Sequence, residues 1–115
     1  MTTTPGDVDR VLAALADPTR RRLLQLLAAG RPLSASALAG EVPVSRQAVA
    51  QHLAVLQESH LVTSRRAGRE VLFSVEPEPL VATASWMTEL AATWAERLQR
   101  LKQVAEAEPE LPESS

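Results

Sequence analysis

The stretch Val44–Leu56, VSRQAVAQHLAVL, predicts a helix whose two faces differ in chemistry. Ser45 is a favourable N-cap, because its hydroxyl can accept a hydrogen bond from a free amide of the first turn, so the helix is predicted to begin at Arg46. Large aliphatic side chains recur at helical spacing on one side and form a stripe that faces a core. This stripe consists of Val49, Leu53 and Leu56.

The opposite face of the predicted helix is rich in amides and contains no carboxylate. Gln and Arg side chains can form paired hydrogen bonds with adenine and guanine edges, and small Ala residues let a helix approach the floor of a DNA major groove. A solvated surface helix with little charge is the alternative interpretation, and both stay open on this stretch alone. The candidate DNA contacts at the helix start and on this face are Ser45, Arg46, Gln47, Ala50 and Gln51.

The composition limits the class of protein. A chain of 115 residues has room for one domain with a modest core, which oligomerisation commonly supplements. The chain has no Cys, which excludes disulfides, thiolate metal sites and cysteine nucleophiles. No apolar run approaches the roughly 18 to 20 residues of a membrane span, and the first ten residues lack the features of a signal peptide. We therefore expect a cytoplasmic protein with no membrane partner.

The net charge of −2 conceals an asymmetry along the chain. Residues 1–75 contain 9 Arg against 6 acidic residues, whereas residues 76–115 contain 3 basic residues against 8 acidic ones. The field that matters for a polyanion is the local one, where contact occurs. The first part of the chain is therefore the part suited to nucleic acid.

Two core helices are predicted before the Val44–Leu56 stretch. Asp17 is a favourable N-cap for the second helix, with Pro18 at its first position and Gly30 expected to end it in the left-handed conformation. Arg20 lies beside the aliphatic stripe of that helix, so we expect its stem to pack inward and its head to meet a carboxylate or carbonyl. The first helix is indicated by apolar residues at helical spacing, namely Val8, Val11, Leu12 and Leu15.

A helix-turn-helix followed by a β-hairpin is the predicted arrangement of the middle of the chain. A short helix capped by Ser34 ends at Gly40, and a turn containing Gly and Pro joins it to the next helix. Two β-prone runs then meet near Gly68, which should supply a positive φ in the hairpin loop. A basic hairpin tip beside the proposed DNA-contacting helix predicts a DNA-binding winged helix. The predicted contacts of this wing are Arg65, Arg66 and Arg69.

The chain resembles the ArsR-type family of small winged-helix bacterial transcriptional repressors from about Val8 to Lys102. The resemblance rests on LADPTRRRLLQLLA (15–28), VSRQAVAQHLAVLQESHLV (44–62) and RRAGREVLFSV (65–75). It implies a mainly α winged helix-turn-helix fold with a β-hairpin wing, sometimes a small extra strand, and a homodimer in which the first and last helices pair. His60 stands where the family usually has Gly, and His tolerates the left-handed conformation required there.

Metal ligands of the family's metal sensors are missing from this chain. Those ligands are Cys residues near the third helix, or Asp and His pairs on the last helix. Here the third-helix region is SASALAGEV and the last helix has no His. His52 and His60 are better explained as a core-edge side chain and a helix cap. We therefore predict no metal site and no cofactor, and the sequence identifies no inducer.

The last helix contains a heptad-like seam from Leu80 to Ala105, widened by Trp86 and Leu90. This is more apolar surface than one small domain covers, so both pairing across a two-fold axis and packing within the chain stay open. The predicted organisation is a disordered lead at 1–6, a domain at 7–105 with a dimerisation helix from about 80, and an acidic disordered tail at 106–115. The predicted dimer contacts are Val8, Val11, Leu15, Met87, Trp94, Leu98 and Leu101.

The sequence thus predicts a homodimeric regulator that binds double-stranded DNA at a two-fold-symmetric operator. Repression, as opposed to activation, follows from the family resemblance. The alternative is a winged helix used for protein contacts, in which the basic wing meets an acidic partner. Catalysis is disfavoured, because Ser59 and His60 lack an identifiable third catalytic group and the chain has no Gly-rich phosphate loop.

Overall fold

Helices and a small antiparallel sheet alternate along the chain in the computed structural model, which describes residues 5–107. The described part of the chain divides into two compact units, with the boundary between Thr83 and Ala84 inside the last helix. The predicted mainly α fold with a β-hairpin wing is confirmed. The described elements are α1 (Pro5–Leu15), α2 (Pro18–Ala28), β1 (Leu33–Ser34), α3 (Ala35–Ala39), α4 (Arg46–Glu58), β2 (Val62–Ala67), β3 (Glu70–Val75) and α5 (Pro77–Ala107).

Both ends of the folded part extend beyond their predicted limits. Helix α1 begins at Pro5, inside the predicted lead, and α5 continues to Ala107, inside the predicted tail. The rest of those two segments, residues 1–4 and 108–115, lies outside the described residues. Helix α5 begins at Pro77, because proline lacks an N–H that the first turn of a helix leaves unbonded in any case. None of the described helices is long and apolar enough to span a membrane.

The predicted N-caps of the three internal helices are confirmed. The Asp17 carboxylate accepts hydrogen bonds from the backbone amides of Thr19 at 2.7 Å and Arg20 at 3.2 Å. The hydrogen bond from the Arg20 amide is the main cause that holds the pKa of Asp17 below its usual value. The hydroxyls of Ser34 and Ser45 accept in the same way, each from the amide three residues later.

The left-handed backbone positions agree with the sequence at two sites and differ at a third. His60 has φ 62° after α4, and Gly68 has φ 64° in the hairpin loop, as predicted. The prediction for Gly30 is wrong, because α2 is followed by Ala29 in the right-handed conformation. The Ala29 amide donates to the Gln25 carbonyl at 3.0 Å, so the last turn is closed without a left-handed residue.

The core fixes one face of α4. Helix α4 packs against α2, α3 and β2, and its aliphatic stripe of Val49, Leu53 and Leu56 is almost completely buried. The same core contains apolar residues of α1, α2, α3 and β2. The inward direction predicted for Arg20 is also confirmed, because its Nε donates to the carbonyl of Ala14 at 2.6 Å.

The three strands form one antiparallel sheet in the order β1-β3-β2. Strand β1 pairs with β3 through Leu33 and Phe73, and it is the small extra strand that the family resemblance implies. Strands β2 and β3 form the wing, with Val62 opposite Val75 at the base and Ala67 opposite Glu70 at the tip.

Two residues of α1 that were predicted at a dimer contact belong to the interior of the single chain. Val8 is 3% exposed and Val11 is 1% exposed. Side chains with so little accessible surface have nothing left to bury against a second copy, so we assign both to the core. Leu15 is half-buried and packs against the core cluster.

We predict that Leu53→Ala destabilises the protein by about 2 to 5 kcal/mol, because it removes a fully buried side chain from the stripe of α4. Urea unfolding at fixed protein concentration measures this change. Arg22→Ala on the exposed side of α2 is the control and should change the free energy of unfolding by less than about 0.5 kcal/mol. Equal effects of the two substitutions would contradict the position of Leu53.

Candidate nucleic-acid interface

The outer face of α4 is exposed along its first two turns. The buried stripe holds the helix on one side, and the opposite side lies open to solvent. This face displays amides, one guanidinium and small side chains, with no carboxylate before Glu58. The structure brings together all the predicted contacts of this region, since Ser45, Arg46, Gln47, Ala50 and Gln51 are all exposed.

Ser45 has a structural role in addition to its predicted one. Its Oγ accepts a hydrogen bond from the Ala48 amide at 3.1 Å, which starts the helix. A hydroxyl that accepts one hydrogen bond still has its own proton to donate. Ser45 can therefore cap α4 and donate to an anionic oxygen at the helix N-terminus.

The basic side chains of the wing are exposed but do not all lie on one surface. Successive residues of a strand point to opposite faces of the sheet. Arg65 pairs with Leu72 on one face, and Arg66 pairs with Val71 on the other. Arg69 lies in the loop between the strands.

One hydrogen bond joins the wing to α4. The side-chain amide of Gln57 donates to the Ser64 hydroxyl at 3.0 Å. Ser64 is two residues before Arg66, so both lie on the same face of β2. Arg66 is therefore on the face of the wing that is turned toward α4, and Arg65 is on the face turned away from it.

The cations of α4 and of the wing are available for an anionic partner. Arg46, Arg65, Arg66 and Arg69 form no ion pair with any residue in the range 5–107. The nearby acidic residues Glu58 and Glu70 leave the local charge positive. A polyanion could therefore bind here without first displacing an internal carboxylate.

A contact that sequence reasoning missed lies at the edge of α4. The half-buried His52 has its Nδ1 at 3.4 Å from Nη1 of Arg20. The sequence indicated a carboxylate or carbonyl partner for Arg20 and a core-edge position for His52. It gave no signal for their pairing, because 32 residues separate them.

The grouping of His, Asp and Glu side chains shows whether the described part of the chain contains a set of metal ligands. Within residues 5–107, no three or more His, Cys, Asp or Glu residues are grouped as a metal site would require. His52 faces Arg20, and His60 is exposed at the end of α4.

Comparison of the sequence with known proteins finds helix-turn-helix transcriptional regulators. A model of a helix-turn-helix domain matches residues 15–65. The HTH-type transcriptional regulator Rv2034 of Mycobacterium tuberculosis is 41% identical, over 87% of this chain and 90% of that protein.

Two solved structures extend the likeness to the whole fold. An ArsR-like transcriptional regulator from Rhodococcus sp. RHA1 is 42% identical with a TM-score of 0.76, over 89% of this chain and 95% of that one. A homodimeric winged helix-turn-helix DNA-binding domain from Mycobacterium bovis, a possible ArsR-family regulator, is 26% identical with a TM-score of 0.60, over 83% and 84% of the two chains. By its sequence and its fold, the chain described here belongs to the ArsR-type family of winged helix-turn-helix transcriptional regulators.

Proposed function

We propose that this protein is a homodimeric repressor that binds a two-fold-symmetric DNA operator and so blocks access to a promoter. The observation that supports this most directly is the exposed face of α4, which is free of carboxylates and lies beside a basic wing. Repression is taken from the family resemblance. Because DNA is the proposed partner, we also propose a cytoplasmic location. The role that we propose is regulatory and not catalytic.

Helix α4 is the proposed recognition helix. Its buried stripe holds it to the domain while its outer face protrudes, which is how a helix enters the major groove. Gln47 and Gln51 are one turn apart on that face, so both can approach base edges of one half-site. Arg46 and Ser45 lie at the helix N-terminus, where phosphate oxygens are favourably bound.

The wing is proposed to bind the DNA backbone. Arg66 lies on the face turned toward α4, and Arg69 lies in the loop, so these two cations are suited to phosphates beside the groove that α4 occupies. Contacts to phosphate position a protein without reading sequence. Arg65 is on the opposite face of the strand, and we expect it to contribute less than Arg66.

Helix α5 is the proposed dimerisation element. All of its described residues from 84 to 107 are exposed in the single chain. Exposed apolar surface on this scale usually marks an interaction site. Among residues 5–107, nine large hydrophobic side chains remain well exposed, and eight of them lie on α5: Val81, Trp86, Met87, Leu90, Trp94, Leu98, Leu101 and Val104.

The exposed residues of α5 form a continuous stripe. Met87, Leu90, Trp94, Leu98 and Leu101 follow one another in steps of three and four, which is the spacing of a seam between two helices. A second copy of α5 offers a complementary surface, because a two-fold interface brings the same patch of both subunits together. Trp94, 57% exposed in the single chain, is the proposed anchor of this interface.

We predict that Gln51→Ala and Arg69→Ala weaken DNA binding in different ways. Gln51→Ala should cost about 1 to 3 kcal/mol at one position of each half-site and relax the base preference there. Arg69→Ala should weaken binding to all sequences alike and reduce the log-log salt slope by about one unit. Half-site centres should lie roughly 10 base pairs apart, or a multiple of that.

Selection from a random DNA pool, footprinting and salt titration test this division of roles. Gln25→Ala and Arg22→Ala, both on exposed positions of α2, are the matched controls. Equal loss on operator and random DNA for Gln51→Ala, or an unchanged salt slope for Arg69→Ala, would refute it. Failure of the protein to select any DNA, with salt-insensitive binding to an acidic protein instead, would favour the protein-contact alternative.

We predict that Trp94→Ala shifts the protein from dimer to monomer at micromolar concentration. Loss of a large aromatic side chain from a buried interface costs about 3 to 5 kcal/mol, whereas truncating a solvent-exposed side chain costs little. Sedimentation equilibrium measures the association constant. Glu96→Ala, on the opposite side of α5, is the control. A wild-type protein that is monomeric at this concentration would contradict the proposed interface.

We predict that zinc, cadmium, nickel and arsenite do not release the protein from its operator through a dedicated site. The chain has no thiolates, and the described residues contain no cluster of metal ligands. Calorimetry and gel shifts with each ion measure this directly. Micromolar or tighter affinity for one of these ions, together with release of the DNA, would show that a metal site exists.

A further inference from the structure

Arg20 connects three helices through one guanidinium group. Its Nε donates to the Ala14 carbonyl at 2.6 Å and its Nη2 to the Ala13 carbonyl at 3.3 Å, both near the end of α1. Its Nη1 lies 4.0 Å from the carboxylate of Asp17, which caps α2. The same Nη1 reaches His52 on α4, at 3.4 Å from the ring Nδ1.

The chemistry of the two side chains fixes the direction of the last contact. A guanidinium has donors and no acceptor, so His52 Nδ1 must accept the hydrogen bond. Nδ1 can accept this bond in the tautomer that bears the ring proton on Nε2. In that tautomer the contact is a hydrogen bond from the guanidinium to the imidazole nitrogen.

Such a bond supplies what the buried stripe of α4 cannot. Burial of the aliphatic stripe decides which face of α4 is exposed, but apolar contact is less directional than a hydrogen bond and sets the rotation of the helix less closely. A hydrogen bond weakens steeply when its angle changes. His52 directly follows Gln51 in α4. A rotation of the helix about its axis therefore moves both side chains together.

We propose that Arg20 is a positioning residue for DNA reading, which through His52 fixes the rotation of α4 against the end of α1. The role proposed for Arg20 requires no contact of its own with a base. Its effect is to hold Gln47 and Gln51 at the angle at which they meet base edges. This proposal rests on the proposed function, because it assigns a further residue to the same DNA-reading surface.

The network allows the α4 contact to be removed by itself. The Arg20 side chain is 18% exposed, so the cluster lies at the edge of the core and not at its centre. Replacement of His52 breaks the bond to α4 and leaves the bonds of Arg20 to Ala13 and Ala14 in place. A positioning role can thus be separated from the role of Arg20 in joining α1 to α2.

The experiment compares three single variants and one double variant of the whole chain. His52→Leu removes the acceptor at similar size, His52→Asn keeps an acceptor oxygen near the position of Nδ1, and Arg20→Lys keeps the charge without the branched guanidinium. Arg22→Lys on the exposed side of α2 is the control. Each is measured for thermal unfolding, for affinity to the operator selected from a random pool, and for affinity to random-sequence duplex.

We expect His52→Leu to weaken operator binding about tenfold, the effect of about one hydrogen bond to a charged group, and to leave binding to random duplex unchanged. His52→Asn should restore most of the operator affinity. The Arg20→Lys, His52→Leu double variant should be no weaker on the operator than the weaker single variant, because both changes break the same bond. If Arg20→Lys fails to fold, the two His52 variants decide the question.

Three results would overturn the proposal. Operator affinity that is unchanged in His52→Leu would show that the contact does not position α4. Equal losses on operator and random duplex would show a general structural defect. A wild-type protein that selects no DNA would overturn the proposed function and this proposal together, whereas the first two results would leave the proposed function intact.

Discussion

Burial of the aliphatic stripe of α4 is the interaction on which both the domain and its candidate interface depend. Val49, Leu53 and Leu56 pack into a core shared by α2, α3 and β2, which anchors the helix by one side only. Because these side chains alternate with polar ones at helical spacing, the burial that stabilises the fold also exposes the amides of the other face. Stability and presentation of the interface are thus consequences of one pattern.

The charge distribution separates two tasks along the chain. Basic side chains without internal partners gather on α4 and the wing, whereas the long apolar stripe is on α5, in the acidic part of the sequence. A DNA-binding surface gains from positive charge, since each phosphate contact releases counterions. A surface that pairs with a copy of itself gains from apolar contact and needs no net charge. The two surfaces accordingly differ in composition.

Two polar side-chain contacts connect α4 to its neighbours in addition to apolar burial. The Gln57 amide joins the end of α4 to the wing at Ser64, and the Arg20 guanidinium joins the middle of α4 to the end of α1. Both contacts lie at the edge of the core, where polar groups retain access to water and their pairing is not opposed by full desolvation. Helix α4 is therefore held by side-chain contacts at two points along its length, near its middle and near its end.

The sequence alone predicted much of this protein, because the relevant signals are local. N-cap side chains, helical spacing of aliphatic residues and a Gly in the hairpin loop act within a few residues, and they fixed the helices, the wing and the exposed face of α4. The left-handed position of His60 was also predictable, because it follows from the family pattern and from the steric tolerance of His.

Only the tertiary structure decided features that depend on residues distant in the chain. Val8 and Val11 have the same apolar pattern as an interface, and only packing showed that they are buried in the single chain. The bounds of α1 and α5 differ from the predicted ones, and α2 closes at Ala29 through a backbone hydrogen bond and not at a left-handed Gly30. The faces of Arg65 and Arg66 required the register of the sheet, and the bond between Arg20 and His52 required α2 and α4 to meet. Periodicity tells which side of an element is apolar, whereas the partner of a polar group depends on which elements pack together.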